Sequence, residues 1–224
     1  MDNHSGARYI TLFLGFLLII PDLGVAGAQA AGAGSARTGQ EVSAAELRSI
    51  LAPPFATPAS GSAQGDVTIV DYFDYNCPGC REIEPALKQV VAHDPKVRLI
   101  HKDWPIFGEA SEYAALCTFA AARQGKYSQA HDALIGSKKD LDSKDDVRKV
   151  LSAAGFDLKA LDADIAHHEK EYRAVLLRNQ RETSALGMPG TPGVIVGNLI
   201  VPSGGLDYAH LNRLVAQQRK VQAH

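Results

Sequence analysis

The stretch YFDYNCPGCREIEPAL, residues 72–87, places two cysteines three positions apart between two different sequence patterns. The residues that lead into it, DVTIVDYFDY (66–75), are β-branched and aromatic, which is typical of a strand. After Pro78 the apolar residues recur on one helical face, so the spacing predicts a helix that begins at this proline. Cys77 and Cys80 are therefore expected where a strand ends and a helix begins.

A cysteine pair of this spacing at a helix N-terminus is suited to redox chemistry. The two Cα atoms lie about 5 Å apart, within the range that a disulfide bridges. Cys77 is at the cap, where unpaired amides and the helix dipole favour a thiolate, whereas Cys80 lies one turn inside. We predict that Cys77 is the attacking and leaving thiol and Cys80 the resolving one. Pro78 and Gly79 lie between them and are predicted to contact the substrate.

Other interpretations of the pair predict a different chemistry. A structural disulfide would close a very short loop and add little to stability. A zinc site needs two further ligands, but the chain has no second C-x-x-C and no H-x-x-x-H pattern. His167 and His168 are adjacent, so a helix points them to different faces. Copper(I), which two thiolates alone can bind, stays open as an alternative. We predict redox chemistry, with no metal and no cofactor.

The composition is that of an ordinary globular protein. The 224 residues carry a formal net charge of -2 and no basic stripe, which argues against nucleic acid as a partner. Only three cysteines are present, so the core rather than a set of disulfides must stabilise the fold. The third, Cys117 in AALCTFAAA, is interpreted as a small buried hydrophobic residue of an alanine-rich helix.

The N-terminal sequence predicts export. A short polar start with one arginine, Arg8, precedes an apolar run from Tyr9 to Ile20, and small residues with an A-x-A-type cleavage site at 26–28 follow. A membrane-spanning helix needs about 20 apolar residues, so this run is short for one. We therefore predict a signal peptide and a location in the bacterial periplasm, where disulfides persist. An uncleaved membrane anchor is the alternative.

The rest of the chain alternates between strand and helix patterns. A second strand pattern, KVRLIH (96–101), completes a βαβ unit with the first strand and helix. GTPGVIVGNLIVPSGG (190–205) predicts two short strands around Gly197-Asn198, followed by an amphipathic helix. The alanine- and leucine-rich sequence before this hairpin predicts helices near residues 110–124, 127–136, 143–154 and 158–184.

These patterns define an order of βαβ, helical insertion and ββα. His101, Trp104 and Phe107, which follow the second strand pattern, are interpreted as packing residues, with the lining of a groove near the pair as the alternative. The predicted segments are a signal peptide (1–28), a flexible linker (29–40), an N-terminal helical segment (41–63), an inserted helical domain (109–184), and an α/β domain formed by 64–108 together with 185–222.

VDYFDYNCPGC, followed much later by GTPGVIVGN, resembles the thioredoxin superfamily, and its exported DsbA-like branch in particular. The resemblance covers about residues 66 to 220. It implies an α/β thioredoxin fold with a helical domain inserted between the βαβ and ββα halves. It also implies a protein thiol–disulfide oxidoreductase that acts on unfolded or newly exported cysteine-containing proteins and needs a redox partner to reset its disulfide.

The resemblance also assigns roles to residues outside the cysteine pair. Pro192 matches the cis-proline that faces the active-site disulfide in the family, with Thr191 just before it. The backbone beside this proline pairs with an extended substrate chain in the family. Asp71 matches a buried acid beneath the disulfide that relays the proton of the inner thiol. The alternating pattern of the strand does not by itself decide whether Asp71 is buried.

The two residues between the cysteines bear on the direction of the reaction. Strongly oxidising members of the family have Pro-His there, whereas this chain has Pro-Gly. Asp74 and Glu82 would oppose a thiolate on Cys77, while Arg81 would favour it. We predict an oxidase that is milder than those relatives. A disulfide isomerase or reductase of the same fold is the nearer alternative, and a Cu(I)-binding C-x-x-C module is the alternative from another class.

Overall fold

In the computed structural model, residues 39–52, 59–202 and 204–222 are described. The predicted signal peptide and nearly all of the predicted linker lie outside them. The strands are β1 (Ala59–Gly61), β2 (Val67–Phe73), β3 (Val97–Asp103), β4 (Gly193–Val196) and β5 (Leu199–Val201). The helices are α1 (Ala44–Leu51), α2 (Pro78–His93), α3 (Glu109–Arg123), α4 (Tyr127–Ile135), α5 (Lys144–Ala153), α6 (Leu158–Ala185) and α7 (Tyr208–Gln222).

The strands of the described residues form one mixed sheet in the order β1-β3-β2-β4-β5. β2 pairs in parallel with β3 and antiparallel with β4, so it lies in the middle of the sheet with helices on both faces. Burial on both faces explains why its sequence is an almost continuous apolar run rather than an alternating one. The register places Asp71 of β2 beside His101 of β3. The predicted thioredoxin fold with a helical insertion is confirmed.

Three buried clusters stabilise this arrangement. One lies between the sheet and helices α2 and α7, and a second lies on the other face beneath α1. The third is the core of the insertion, α3 to α6, and it also contains Cys77, Cys80, Phe73 and Tyr75. The cysteine pair is therefore anchored in the core of the insertion as well as in the sheet.

The N-terminal part differs from the sequence prediction. α1 forms as expected, with Ser43 and Glu46 making a capping box. β1, however, lies within the stretch 41–63 that was predicted to be helical, and it pairs antiparallel with β3. An Ala-Ser-Gly triplet has no strand periodicity of its own, so only its pairing with β3 defines it as a strand. No helix among the described residues is long and apolar enough to span a membrane.

Candidate active site

The cysteine pair lies at the N-terminus of α2, directly after the turn that follows β2. Cys77 is the N-cap of α2 and has an extended backbone conformation, and Pro78 occupies the first turn without leaving an amide unpaired. The Cys80 amide donates to Cys77 Sγ over 3.2 Å. An N-cap normally offers an oxygen to this amide, so here the sulfur takes the place of the capping oxygen.

The loop before β4 closes over the pair. The Thr191–Pro192 peptide bond is cis. Cys77 Sγ lies 3.3 Å from the carbonyl oxygen of Thr191, to which the thiol donates only when it is protonated. A Cβ added to Gly79 would lie 3.1 Å from Pro192 Cδ, so a larger residue would require the loop to move away from α2 by a few tenths of an ångström. The structure therefore brings Cys77, Gly79, Thr191 and Pro192 together, although 114 positions separate Cys77 from Thr191.

The two thiols differ in acidity. The pKa of Cys77 is lowered from 9.0 to about 6, chiefly by a hydrogen bond from the Cys80 side chain, with Thr191 and the Cys80 amide contributing and burial opposing. The pKa of Cys80 is raised, first by burial, then by its hydrogen bond to Cys77 and by the charge of Asp71. Cys77 is thus largely a thiolate near pH 7 and Cys80 a thiol.

The turn between β2 and α2 holds two polar side chains whose positions were not predicted. Asp74 is only 2% exposed, and its Oδ2 accepts from the amides of Ile106 and Phe107 over 2.7 and 3.0 Å. Asn76 exchanges two hydrogen bonds with the backbone of Leu141, which lies between α4 and α5. Asp and Asn after a strand do signal a turn, but their long-range partners cannot be deduced from that signal.

Asp71 lies beneath the pair within the sheet. It is 2% exposed, and burial raises the pKa of its carboxyl group. Asp71 Oδ2 is 3.7 Å from His101 Nδ1 on β3. Trp104 is buried as the packing interpretation requires, and His101 is buried as well. The packing interpretation is wrong for Phe107, which is 52% exposed because it lies in the loop after β3 rather than in the core.

A groove runs along the other side of the pair. Its volume is about 520 Å³, and α2, the cis-proline loop and the segment before α7 enclose it. Gly79 and Pro192 form the end next to the cysteines, and Ile83, Leu206 and Tyr208 supply apolar walls. An extended polypeptide whose cysteine reaches Cys77 could continue along this groove.

Cys117 lies on a different helix from the pair. It lies in the middle of α3, is 1% exposed, and belongs to the core of the insertion. Burial raises the pKa of its thiol to about 12, so it is neutral at every physiological pH.

Comparison with known proteins is consistent with this geometry. The thioredoxin family model matches residues 55–216, so the chain belongs to the thioredoxin family. A thioredoxin-like oxidoreductase from Silicibacter pomeroyi superposes with a TM-score of 0.71 at 35% identity, covering 77% of this chain and 97% of that one. The thiol-disulfide exchange protein alpha-DsbA2 from Wolbachia pipientis gives a TM-score of 0.64 at 26% identity, with 74% and 87% covered. The chain is thus similar to thioredoxin-fold thiol–disulfide oxidoreductases of the DsbA type.

Similar curated sequences are parts of much larger proteins. The chain is 31% identical over 90 residues to Na(+)/H(+) antiporter NhaA 3 from Salinispora tropica, a match to 39% of this chain and 14% of that protein. It is 27% identical over 163 residues to Na(+)/H(+) antiporter NhaA 1 from Mycolicibacterium vanbaalenii, covering 71% of this chain and 26% of that protein. The chain thus spans about a quarter or less of the length of these relatives.

Proposed function

We propose that the protein is an exported oxidase that donates the Cys77–Cys80 disulfide to newly exported, cysteine-containing proteins. The observation that carries this proposal is the lowered pKa of Cys77, about 6, at an N-cap next to the cis-proline loop. A thiol of low pKa is a good leaving group, and its thiolate stabilises the reduced form of the pair. Both effects favour transfer of the disulfide to a substrate.

The transfer takes two exchange steps. A substrate thiolate attacks Cys77 Sγ, a substrate–Cys77 disulfide forms, and the Cys77–Cys80 bond breaks with Cys80 leaving. A second substrate thiolate then attacks the substrate sulfur of this mixed disulfide and releases Cys77 as a thiolate. The substrate loses two electrons and gains a disulfide, and the pair gains the two electrons. A redox partner must remove them before the next cycle.

The surroundings of the pair support roles for five more residues. Cys80 needs a proton when it leaves, because its pKa is raised in the folded protein. We assign Asp71, a buried carboxyl group whose charge acts on Cys80, to the relay of that proton. We assign the backbone of Thr191 and Pro192 to pairing with the substrate chain, with Pro78 and Gly79 contacting it beside the pair.

The lowered pKa predicts a moderate oxidant. At pH 7, lowering the pKa of Cys77 from 9.0 to about 6 increases the stability of the reduced form about tenfold, which is about 30 mV for a two-electron couple. Asp74, whose charge raises the pKa of Cys77, limits this effect. We expect a potential between those of the strongest oxidases and of reductases.

A glutathione redox titration of the purified protein tests the proposal. A potential towards about -120 mV supports a disulfide donor, whereas one near about -270 mV indicates a reductase or an isomerase kept reduced. A pair that does not exchange with glutathione contradicts both and leaves Cu(I) binding by the two thiolates as the interpretation. Cys117→Ser is the matched control, since it removes the third cysteine without touching the pair.

Export is tested separately from the chemistry. The proposal places the mature protein in the periplasm after removal of residues 1–28. N-terminal sequencing of the protein recovered from a periplasmic fraction should begin just after Ala28. Recovery of the uncleaved chain with the membranes would favour the anchor alternative instead.

A further inference from the structure

A second cluster of chemically active side chains lies under the sheet, apart from the cysteine pair. Glu84 of α2, His101 of β3 and His131 of α4 converge there, and their side chains are only 6%, 7% and 3% exposed. One ligand atom from each lies within 4.8 Å of the others. The three residues come from three separate elements, so only the tertiary fold brings them together.

We propose that Glu84, His101 and His131 form a binding site for a divalent transition-metal ion, with Zn²⁺ as the expected ligand. Two imidazole nitrogens and one carboxylate oxygen are a donor set that Zn²⁺ uses, with a fourth position left for water. Mg²⁺ and Ca²⁺ prefer oxygen ligands alone, so the two histidines select against them. The site is independent of the disulfide chemistry proposed for Cys77 and Cys80.

The hydrogen-bonding state of the cluster supports this assignment. Glu84 Oε1, His101 Nδ1 and His131 Nε2 are buried and make no hydrogen bond to another described group. Glu84 Oε1 and His131 Nε2 are 3.3 Å apart, an ion-pair separation without hydrogen-bond geometry. These atoms have ionisable neighbours at 3.3–3.7 Å but no hydrogen bond, which is costly for buried polar groups, and a shared cation would give the carboxylate and the histidine rings a common partner.

The contacts around the cluster can orient its ligands. His131 Nδ1 lies 3.2 Å from the hydroxyl of Tyr75 and 3.4 Å from that of Tyr127. When Nδ1–H donates to a tyrosine oxygen, the lone pair of Nε2 faces Glu84 and is available to a metal. Metal-binding histidines usually donate their other ring N–H in this way. Asp71 Oδ2 lies 3.7 Å from His101 Nδ1 and is the charged neighbour of this ring outside the cluster.

A cavity leads to the three residues, and the ammonium group of Lys88 at this cavity competes with a metal for Glu84. All three residues line a cavity of about 270 Å³, and Lys88 and Asp132 also line it. Lys88 Nζ is 3.4 Å from Glu84 Oε1 and 2.7 Å from Asp132 Oδ1. The ammonium group competes with a metal for Glu84, but the half-exposed lysine can keep Asp132 as its partner when a metal enters.

Calorimetric titration of the purified, oxidised protein with ZnCl₂ tests the site, because the closed disulfide removes Cys77 and Cys80 as ligands. We expect one Zn²⁺ per chain. Glu84→Gln and His131→Gln should each weaken binding about tenfold or more. Lys88→Met should tighten it, since this variant keeps every ligand and removes the competing charge. Circular dichroism of each variant verifies that it is folded.

The matched control is the double variant His167→Gln/His168→Gln on α6, which removes two adjacent histidines outside the cluster. It should bind Zn²⁺ as the parent does. Binding that is lost only in this control would assign the metal to a surface histidine pair and overturn the proposal. Absence of Zn²⁺ binding in the parent, or equal affinity in the parent, Glu84→Gln and Lys88→Met, would overturn it as well.

Discussion

Cys77 and Cys117 are almost equally buried, with 2% and 1% exposure, yet their thiols differ widely in acidity. The pKa of Cys77 is lowered to about 6, and that of Cys117 is raised to about 12. One lies at the N-terminus of α2 and the other in the middle of α3. Burial alone therefore does not determine which cysteine reacts.

The difference lies in the donors that each sulfur meets. Cys77 accepts hydrogen bonds from the side chain and amide of Cys80, because amides in the first turn of a helix have no carbonyl partner within the helix. In mid-helix such amides bond to the preceding turn. For Cys117 burial dominates, and a hydrogen bond with Tyr113 offsets only part of it. Position within a helix thus separates the acidic thiol from the one that stays neutral.

The most direct test of the difference between Cys77 and Cys117 is to remove each thiol in turn. Cys77→Ser should lose all measurable oxidation of a dithiol peptide, because no mixed disulfide can form at this position. Cys117→Ser should keep the parent rate, with a loss of about 1–3 kcal/mol in the free energy of unfolding from the buried hydroxyl. A stopped-flow assay with a fluorescent peptide measures the rates. An equal loss of rate in both variants would contradict the expected difference in reactivity between the two thiols.

Alkylation of the reduced, folded protein tests the same contrast without mutation. At pH 7 about nine-tenths of Cys77 but only about 10⁻⁵ of Cys117 would be thiolate. The lower nucleophilicity of the more acidic thiol offsets about 10³ of that ratio. We therefore expect Cys77 to react with iodoacetamide at least about 10²-fold faster, with a pH midpoint near 6. Mass spectrometry of the peptides distinguishes the sites.

The stability of the reduced protein should depend on pH through Cys77. Its pKa is lower folded than unfolded, so its contribution is complete above about pH 9 and is lost as the pH falls through about 6. From pH 6 to 8 the free energy of unfolding of the reduced protein should rise by about 2 kcal/mol relative to the oxidised protein. Denaturant titrations of both forms measure this difference. In Cys77→Ser the rise over this pH range should be smaller by about 2 kcal/mol than in the reduced parent, and an unchanged rise would assign it to another group.

Much of the cysteine site could be predicted from local sequence. The strand pattern before Cys77 and the Pro78 start of a helix are local signals, and both elements form. The hairpin around Gly197-Asn198 is equally local and also forms. Such features need only neighbouring residues to define them.

Features that depend on distant partners could not be predicted. β1 exists only because β3 pairs with it. Glu84, His101 and His131 share no sequence spacing, so their convergence follows from the packing of α2 and α4 against β3. Local sequence spacing draws attention only to adjacent histidines such as His167 and His168, which lie outside this cluster. Asp74 carries a turn signal, but its contact with the loop after β3 does not follow from that signal.

The smallest expected effect on the acidity of Cys77 comes from Asp74. Its charge raises the pKa of Cys77, so Asp74→Asn should lower that pKa below about 6 and shift the potential towards a stronger oxidant by less than about 30 mV. One of its oxygens would be replaced by a donor, so the loss of a bond from Ile106, Phe107 or Asn76 should reduce the free energy of unfolding by about 1–2 kcal/mol.

Asp140→Asn is the matched control for Asp74→Asn, because Asp140 carries the same charge on a side chain that is 77% exposed. Water and salt screen that charge, so the alkylation midpoint of Cys77 should not move in this variant. A midpoint that stays at the parent value in Asp74→Asn as well would show that hydrogen bonds alone set the acidity of Cys77. A shift in Asp74→Asn only would show that the buried carboxylate keeps this thiol less acidic than its position at the helix N-terminus allows.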